Sequence, residues 1–137
     1  MKVSDAMTAQ VVTANPADTI QSVAKIMLEV DTGAVPVFED GKVIGLVTDR
    51  DIVLRVAAVG GDLNGPVSAV MSTEVQSCRD DDNLADAAAQ MANHQLRRLI
   101  VTNEAGKLAG ILSLGDIATD YGAKAVGHTL EEISESH

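Results

Sequence analysis

Gly45-Leu46-Val47-Thr48-Asp49-Arg50-Asp51 and Gly110-Ile111-Leu112-Ser113-Leu114-Gly115-Asp116 carry one pattern, Gly-x-x-[Thr/Ser]-x-x-Asp. Outward from these stretches the chain repeats itself, and a repeat of this length defines the folding unit. Val3-Ser4-Asp5-Ala6-Met7 recurs 64 residues on as Val67-Ser68-Ala69-Val70-Met71. At that spacing Val11 meets Val75, Asp18 meets Asp82, Ile20 meets Leu84, Ala24 meets Ala88 and Met27 meets Met91. One extra residue in the second hairpin raises the spacing to 65, so that Gly41-Lys42 meets Gly106-Lys107, Gly45 meets Gly110, Thr48 meets Ser113 and Asp51-Ile52 meets Asp116-Ile117. The chain is a tandem duplication: copy one over 1–61, a linker over 62–66, copy two over 67–121 and a tail over 122–137.

Each copy has the same local pattern. Val11 to Thr13 reads as a short strand before a turn at Asn15-Pro16. Asp18 with Gln21 has the spacing of a capping box. Ile20, Val23, Ala24 and Met27 then fall on one helix face, as do Leu84, Ala87, Ala88 and Met91 in copy two. Ala34 to Phe38 and Val43 to Thr48 read as strands joined by Glu39-Asp40-Gly41-Lys42, and Leu99 to Thr102 with Leu108 to Ser113 read as their counterparts. A second helix is expected from Asp49 through Ile52, Val53 and Val56. The unit is strand, helix, strand, strand, helix. One copy of about 60 residues makes a marginal core, so two copies are expected to fold together.

Composition narrows the function. The 137 residues carry 10 Lys plus Arg against 20 Asp plus Glu, a formal charge of −10. Phosphate-backbone binding is driven by Lys and Arg releasing counterions, so a nucleic-acid surface is not expected, nor is an acidic membrane. The two aromatics, Phe38 and Tyr121, offer no stacking platform for single strands. A planar ligand would be gripped by aliphatic side chains and backbone. Cys78 is the single cysteine, which excludes an internal disulfide. No signal peptide or membrane span is read, so a cytoplasmic location is expected.

The repeated motif falls at a strand-to-helix junction. Thr48 or Ser113 can cap the helix while Asp51 or Asp116 reaches back, a box that needs no ligand. The same geometry suits one. A helix start directs free N–H groups and a positive dipole end outward, which favours phosphate. A carboxylate there can accept hydrogen bonds from both hydroxyls of a ribose. Gly45 and Gly110 would allow a ligand close to the backbone. A cap can also be a ligand contact, so the two readings are compatible.

With these residues in place, the chain resembles a tandem pair of cystathionine-β-synthase-type (CBS) domains, the Bateman module, of the standalone bacterial type. Val3-Ser4-Asp5-Ala6-Met7, Gly33-Ala34-Val35-Pro36-Val37 and Leu96-Arg97-Arg98-Leu99-Ile100-Val101 fit the family as well. The resemblance runs from Lys2 to about Tyr121. It implies an α/β fold of two β-α-β-β-α repeats packed with pseudo-two-fold symmetry; a homodimer is expected because so small a module would otherwise leave apolar helix surface exposed. It implies a regulatory rather than catalytic role, with AMP, ADP, ATP, S-adenosylmethionine or NADH bound between the copies and no cofactor required. Carried over by position, Thr48 and Asp51 would hold the ribose of one site, with Thr13 and the backbone around Ala34, Val35 and Pro36 bordering its adenine. Ser113 and Asp116 would serve the second site, with Gln76, Leu99 and Ile100 around the base. Copy two has Ile100 where the family often has Pro, and Asp80-Asp81-Asp82 where copy one has Pro16-Ala17-Asp18.

Arg50, Arg97 and Arg98 are candidate phosphate contacts, because a guanidinium fork matches phosphate oxygens; surface ion pairing is the other reading. The net charge disfavours free polyphosphate, so a monophosphate, an uncharged adenosyl group or magnesium-bound ATP is expected. No catalytic apparatus is read. No metal site is assigned: Asp80-Asp81-Asp82-Asn83 lacks the glycine and distal glutamate of a calcium loop, and His94, His128 and His137 are scattered. Cys78 reads as a buried small hydrophobe, with a redox or metal sensor resting on it and the Asp cluster alone. Thr129-Leu130-Glu131-Glu132 reads as a capping box opening a short acidic helix. The alternative function is a homodimeric interaction module with vestigial sites, using Ile52, Val53, Val56, Ile117 and Ala118. An unknown protein effector is implied either way.

Overall fold

The structure is a computed structural model that describes residues 1–120, with side chains through Ala118; the expected helix at Thr129–Glu132 lies outside the described residues. In chain order the elements are α1 (Val3–Ala6), α2 (Ile20–Val30), β1 (Ala34–Glu39), β2 (Lys42–Thr48) and α3 (Asp49–Ile52), which continues as a π-helical turn over Val53–Ala57. A 3₁₀ turn (Val67–Ala69), β3 (Ser77–Arg79), α4 (Leu84–His94), β4 (Arg98–Thr102), β5 (Leu108–Ser113) and α5 (Leu114–Asp120) follow. The chain forms two compact units, one of Val11–Val75 and one of Met1–Gln10 with everything from Gln76 on.

These units cut the chain differently from the repeats over 1–61 and 67–121. The opening segment of copy one packs with copy two, and that of copy two with copy one. Val3 and Ala6 are buried in a core with Leu84, Met91, Leu99, Val101, Leu112 and Ile117. Val67 and Val70 are buried with Ile20, Val23, Met27, Val35, Val37 and Val47. Backbone bonds repeat the exchange in equivalent positions. Val3 N–H donates to Asp82 O (2.9 Å) as Val67 N–H donates to Asp18 O (2.8 Å), and Thr8 exchanges two bonds with Ile111 as Ser72 does with Leu46. The expected linker is part of this packing, since the Leu63 and Gly65 carbonyls accept from Gln21 and Ile20.

In the Val11–Val75 unit, α2 buries Ile20, Val23 and Met27. Its cap is Thr19, whose Oγ1 accepts from Ser22 N (3.1 Å), rather than Asp18. The Asp18 carboxylate accepts from Asn15 N (2.9 Å) and closes the preceding turn. Copy two makes the same shift: Asp82 accepts from Arg79 N (2.8 Å), and Asn83 caps α4 through Ala85 N (2.8 Å). β1 and β2 turn at Asp40 (φ 52) and Gly41 (φ 82), both left-handed, the mirror-image turn that matches the twist of a hairpin. The expected strand at Val11–Thr13 does not form. Ala14 alone bridges Val37 in parallel, whereas in copy two β3 pairs in parallel with β4 over Ser77, Cys78 and Arg79. The second helix of copy one is α-helical only to Ile52 and buries Val56, leaving Val53 exposed.

Candidate functional site

Strand alternation sends each hairpin's side chains to two faces. Val35, Val37 and Val47 enter the core, while Ala34 pairs with Thr48 and Pro36 with Leu46 on the opposite face. In copy two Leu99, Val101 and Leu112 enter the core, while Arg98 pairs with Ser113 and Ile100 with Ile111 on the opposite face. That second face therefore collects Ala34, Pro36 and Thr48 in one unit and Arg98, Ile100 and Ser113 in the other. Val35 and Leu99 point into their cores, so only their backbone is available beside a ligand. Leu46, half-buried, and Ile111, buried, share that second face, where period-two alternation back from Thr48 and Ser113 places them.

Both motifs form complete capping boxes. Asp51 N donates to Thr48 Oγ1 (3.1 Å) and Thr48 N donates to Asp51 Oδ2 (2.9 Å). Asp116 N donates to Ser113 Oγ (3.1 Å) and Ser113 N donates to Asp116 Oδ2 (3.0 Å). Each box uses one carboxylate oxygen. The other oxygen of Asp51 lies 3.9 Å from Arg55 Nε, and Arg55 Nη1 also donates to the Val70 carbonyl (3.2 Å). The four motif residues are half-buried, which leaves the carboxylates reachable yet partly shielded from water.

The base-bordering positions are unevenly matched. Thr13 is half-buried just before Ala14, whose N–H donates to Pro36 O (3.0 Å). Gln76 is exposed and offers its carbonyl to Ile100 N (3.1 Å). By the 64-residue spacing the counterpart of Thr13 is Ser77, which pairs with Ile100 on the outer face, so Ser77 is the missed residue there. Of the candidate phosphate groups, Arg50 and Arg97 are exposed and Arg98 is half-buried. Ion pairs among the described residues are Arg55–Asp51 and Arg79–Asp81, so Arg50, Arg97 and Arg98 have no carboxylate partner there.

Gly45 and Gly110 have a packing role. A Cβ on Gly45 would lie 2.5 Å from Met71 Sδ, and one on Gly110 would lie 2.5 Å from Thr8 O. The opening segments fill the space expected for a ligand. Cys78 is buried in the core. Burial pushes its thiol from 9.0 up to about 11, and the nearby Asp82 carboxylate adds to the rise. It is therefore a protonated, packed side chain at neutral pH. Among the described residues, no cluster of three or more His, Cys, Asp or Glu could hold a metal, and no helix is long and apolar enough to cross a membrane.

A duplicated hairpin-and-helix unit with a capped Gly-x-x-[Thr/Ser]-x-x-Asp junction in each copy defines a paired CBS architecture. The CBS domain model matches residues 3–58 and 67–121, and the chain belongs to the CBS domain family. It is 44% identical over 136 residues to the CBS domain-containing protein YhcV of Bacillus subtilis, covering 98% of this chain and 96% of that one. Its fold is similar to that of the CBS domain protein TA0289 of Thermoplasma acidophilum, with TM-score 0.84 and 25% identity over 96% of this chain and 75% of the other. It is also similar to the CBS domain protein PAE2072 of Pyrobaculum aerophilum, solved in complex with AMP, with TM-score 0.80 and 24% identity over 96% of this chain and 99% of that one.

Proposed function

We propose that this chain is a regulatory module that binds an adenosyl ligand of the AMP, ADP or ATP class on the outer hairpin faces. Thr48 and Asp51 hold one ribose, Ser113 and Asp116 the other. The bound ligand changes the shape of a homodimer or its affinity for a protein effector. The observation that carries this reading is the motif built twice with one carboxylate oxygen spent on the cap, which leaves a second oxygen for a ribose diol. The AMP complex of PAE2072 supports the fold's capacity for such a ligand, while the residues of this chain carry the assignment.

Ligands that bind only the folded state raise its melting temperature, by about 2.7 kcal/mol of stability at a hundredfold excess over Kd. A thermal-shift series with AMP, ADP, ATP with and without magnesium, S-adenosylmethionine and NADH tests the reading. A rise with at least one of them, abolished in the Asp51→Ala/Asp116→Ala double variant, is expected. No rise with any of them at millimolar concentration would transfer weight to a second reading, an interaction module that associates through apolar surface. That reading is favoured by Val53, Leu54 and Val59, which are 56%, 49% and 70% exposed on one stretch after the first motif. Of the face named from sequence, Val53 belongs to this exposed stretch, whereas Val56 and Ile117 are buried in their own units.

A further inference from the structure

We propose that Met71 and Met7 are sites of oxidation by hydroperoxides, and that their sulfoxides loosen the opening segments from the hairpins they cross. Oxidation there needs no ligand at either motif.

The chain has five methionines, and burial divides them. Met27 and Met91, equivalent at the 64-residue spacing, are buried in the two cores. Met7 and Met71, equivalent at the same spacing, are half-buried and pack against those cores. Met1 is exposed. Each half-buried thioether lies on a hairpin glycine. A Cβ on Gly45 would lie 2.5 Å from Met71 Sδ and 2.9 Å from its Cγ. One on Gly110 would lie 3.0 Å from Met7 Sδ and 3.3 Å from its Cγ. The thioether thus fills the space that a side chain on β2 or β5 would take. One residue further on, each segment exchanges two backbone bonds with its hairpin: Ser72 with Leu46 at 2.9 Å each, and Thr8 with Ile111 at 2.9 and 3.0 Å. The sulfur therefore sits beside the pair of bonds that holds the crossing.

Burial also selects thioether over thiol. Peroxide attacks the thiolate form of cysteine, and Cys78 is buried with its thiol pushed up to about 11. Met7 and Met71 are left as the sulfurs within the folded units that a hydroperoxide reaches first. With hydrogen peroxide, the sulfur lone pair attacks one peroxide oxygen, and an S–O bond forms as the O–O bond breaks. The proton of the attacked oxygen passes to the departing hydroxide, which leaves as water. Sulfur is oxidised by two electrons and the peroxide reduced by two. The product is polar where the thioether was apolar. A sulfoxide that stays in place sets an unpaired oxygen against the strand and the core edge. One that turns outward uncovers the glycine. Either way the crossing loses packing beside its two bonds, more at Met71, which lies closer to its glycine.

Hydrogen peroxide treatment of the full chain, followed by peptide mass mapping and native-state hydrogen exchange, tests this. Met7 and Met71 are expected to gain oxygen well before Met27 and Met91. The amides of Leu46, Ser72, Thr8 and Ile111 should then exchange about tenfold faster, the scale of one unpaired polar group in a partly buried place. Met71→Leu keeps the apolar volume and removes the reaction. After peroxide it should retain slow exchange at Leu46 and Ser72 while Thr8 and Ile111 still quicken, and Met7→Leu should show the converse. Methionine sulfoxide reductases should restore slow exchange in the unaltered protein. Oxidation of Met27 and Met91 at the same rate overturns the proposal. So does unchanged exchange at the four amides once Met7 and Met71 are oxidised, or quickening that persists in the Met7→Leu/Met71→Leu protein. If a leucine variant fails to fold, the reductase experiment decides: exchange that stays fast after both peptides lose their oxygen overturns the proposal.

Discussion

Gly45 and Gly110 sit where an opening segment crosses the middle of each hairpin, and the two crossings differ in what a methyl group would strike. At Gly110 the obstacle is the Thr8 backbone oxygen at 2.5 Å, with Met7 Sδ at 3.0 Å. At Gly45 it is first the Met71 side chain, with Sδ at 2.5 Å and Cγ at 2.9 Å, and only then the Ser72 oxygen at 3.0 Å. A thioether can swing to another rotamer, whereas Thr8 O is fixed by accepting from Ile111 N (3.0 Å). Gly110→Ala is therefore expected to cost about 2–3 kcal/mol and Gly45→Ala about 1 kcal/mol, within the usual range for overpacking. Urea unfolding midpoints at unchanged slope measure both. Equal losses, or none at Gly110, would mean that the crossing gives way more readily than its backbone bonds indicate.

At the scale of the element, each capping box joins a strand end to a helix start, and the hydroxyl is its removable half. Thr48→Ala and Ser113→Ala each leave one half-buried N–H, of Asp51 or Asp116, without its acceptor and are expected to cost about 1 kcal/mol, again read from urea midpoints. A loss well below that would place the junction's stability in its packing. These boxes, the hairpins and the buried faces of both first helices could be read from sequence because each depends on neighbours three to five residues apart. Asp40-Gly41 announces its turn by the φ values it can adopt, and Leu84, Ala87, Ala88 and Met91 announce a face by spacing. The first cap is Thr19 and not the neighbouring Asp18, since both are good caps and the Asp18 carboxylate is taken up by Asn15 N. The strand at Val11–Thr13 failed because β character there depends on pairing with a distant edge, which only Ala14 achieves. The place of Ser77 beside Ile100 follows from applying the repeat spacing to Thr13. The π-helical turn at Val53–Ala57 has no local signal in its Val-Leu-Arg-Val-Ala sequence.

At the scale of the molecule, the exchange of opening segments was invisible to sequence because Val3-Ser4-Asp5-Ala6-Met7 and Val67-Ser68-Ala69-Val70-Met71 are near copies. Either could pack on either body, and their order along the chain suggests that each joins its own. The bonds decide otherwise: Val3 N–H reaches Asp82 O and Val67 N–H reaches Asp18 O, so each body is completed by the segment preceding the other. Cutting the chain at its repeat boundary thus removes part of both cores. Val3 and Val67 are each 0% exposed, and Val3→Ala or Val67→Ala is expected to cost about 2 kcal/mol through lost burial and an unfilled space. The location of the damage is the sharper measurement. Native-state hydrogen exchange reports local stability element by element. After Val3→Ala, exchange should quicken in α4, β4 and β5, which lie more than seventy residues away in the chain, and much less in β1 and β2. Val67→Ala should give the converse, quickening α2, β1 and β2. Faster exchange in β1 and β2 after Val3→Ala would mean that the opening segment completes its own copy, and the two repeats would then be separable units after all.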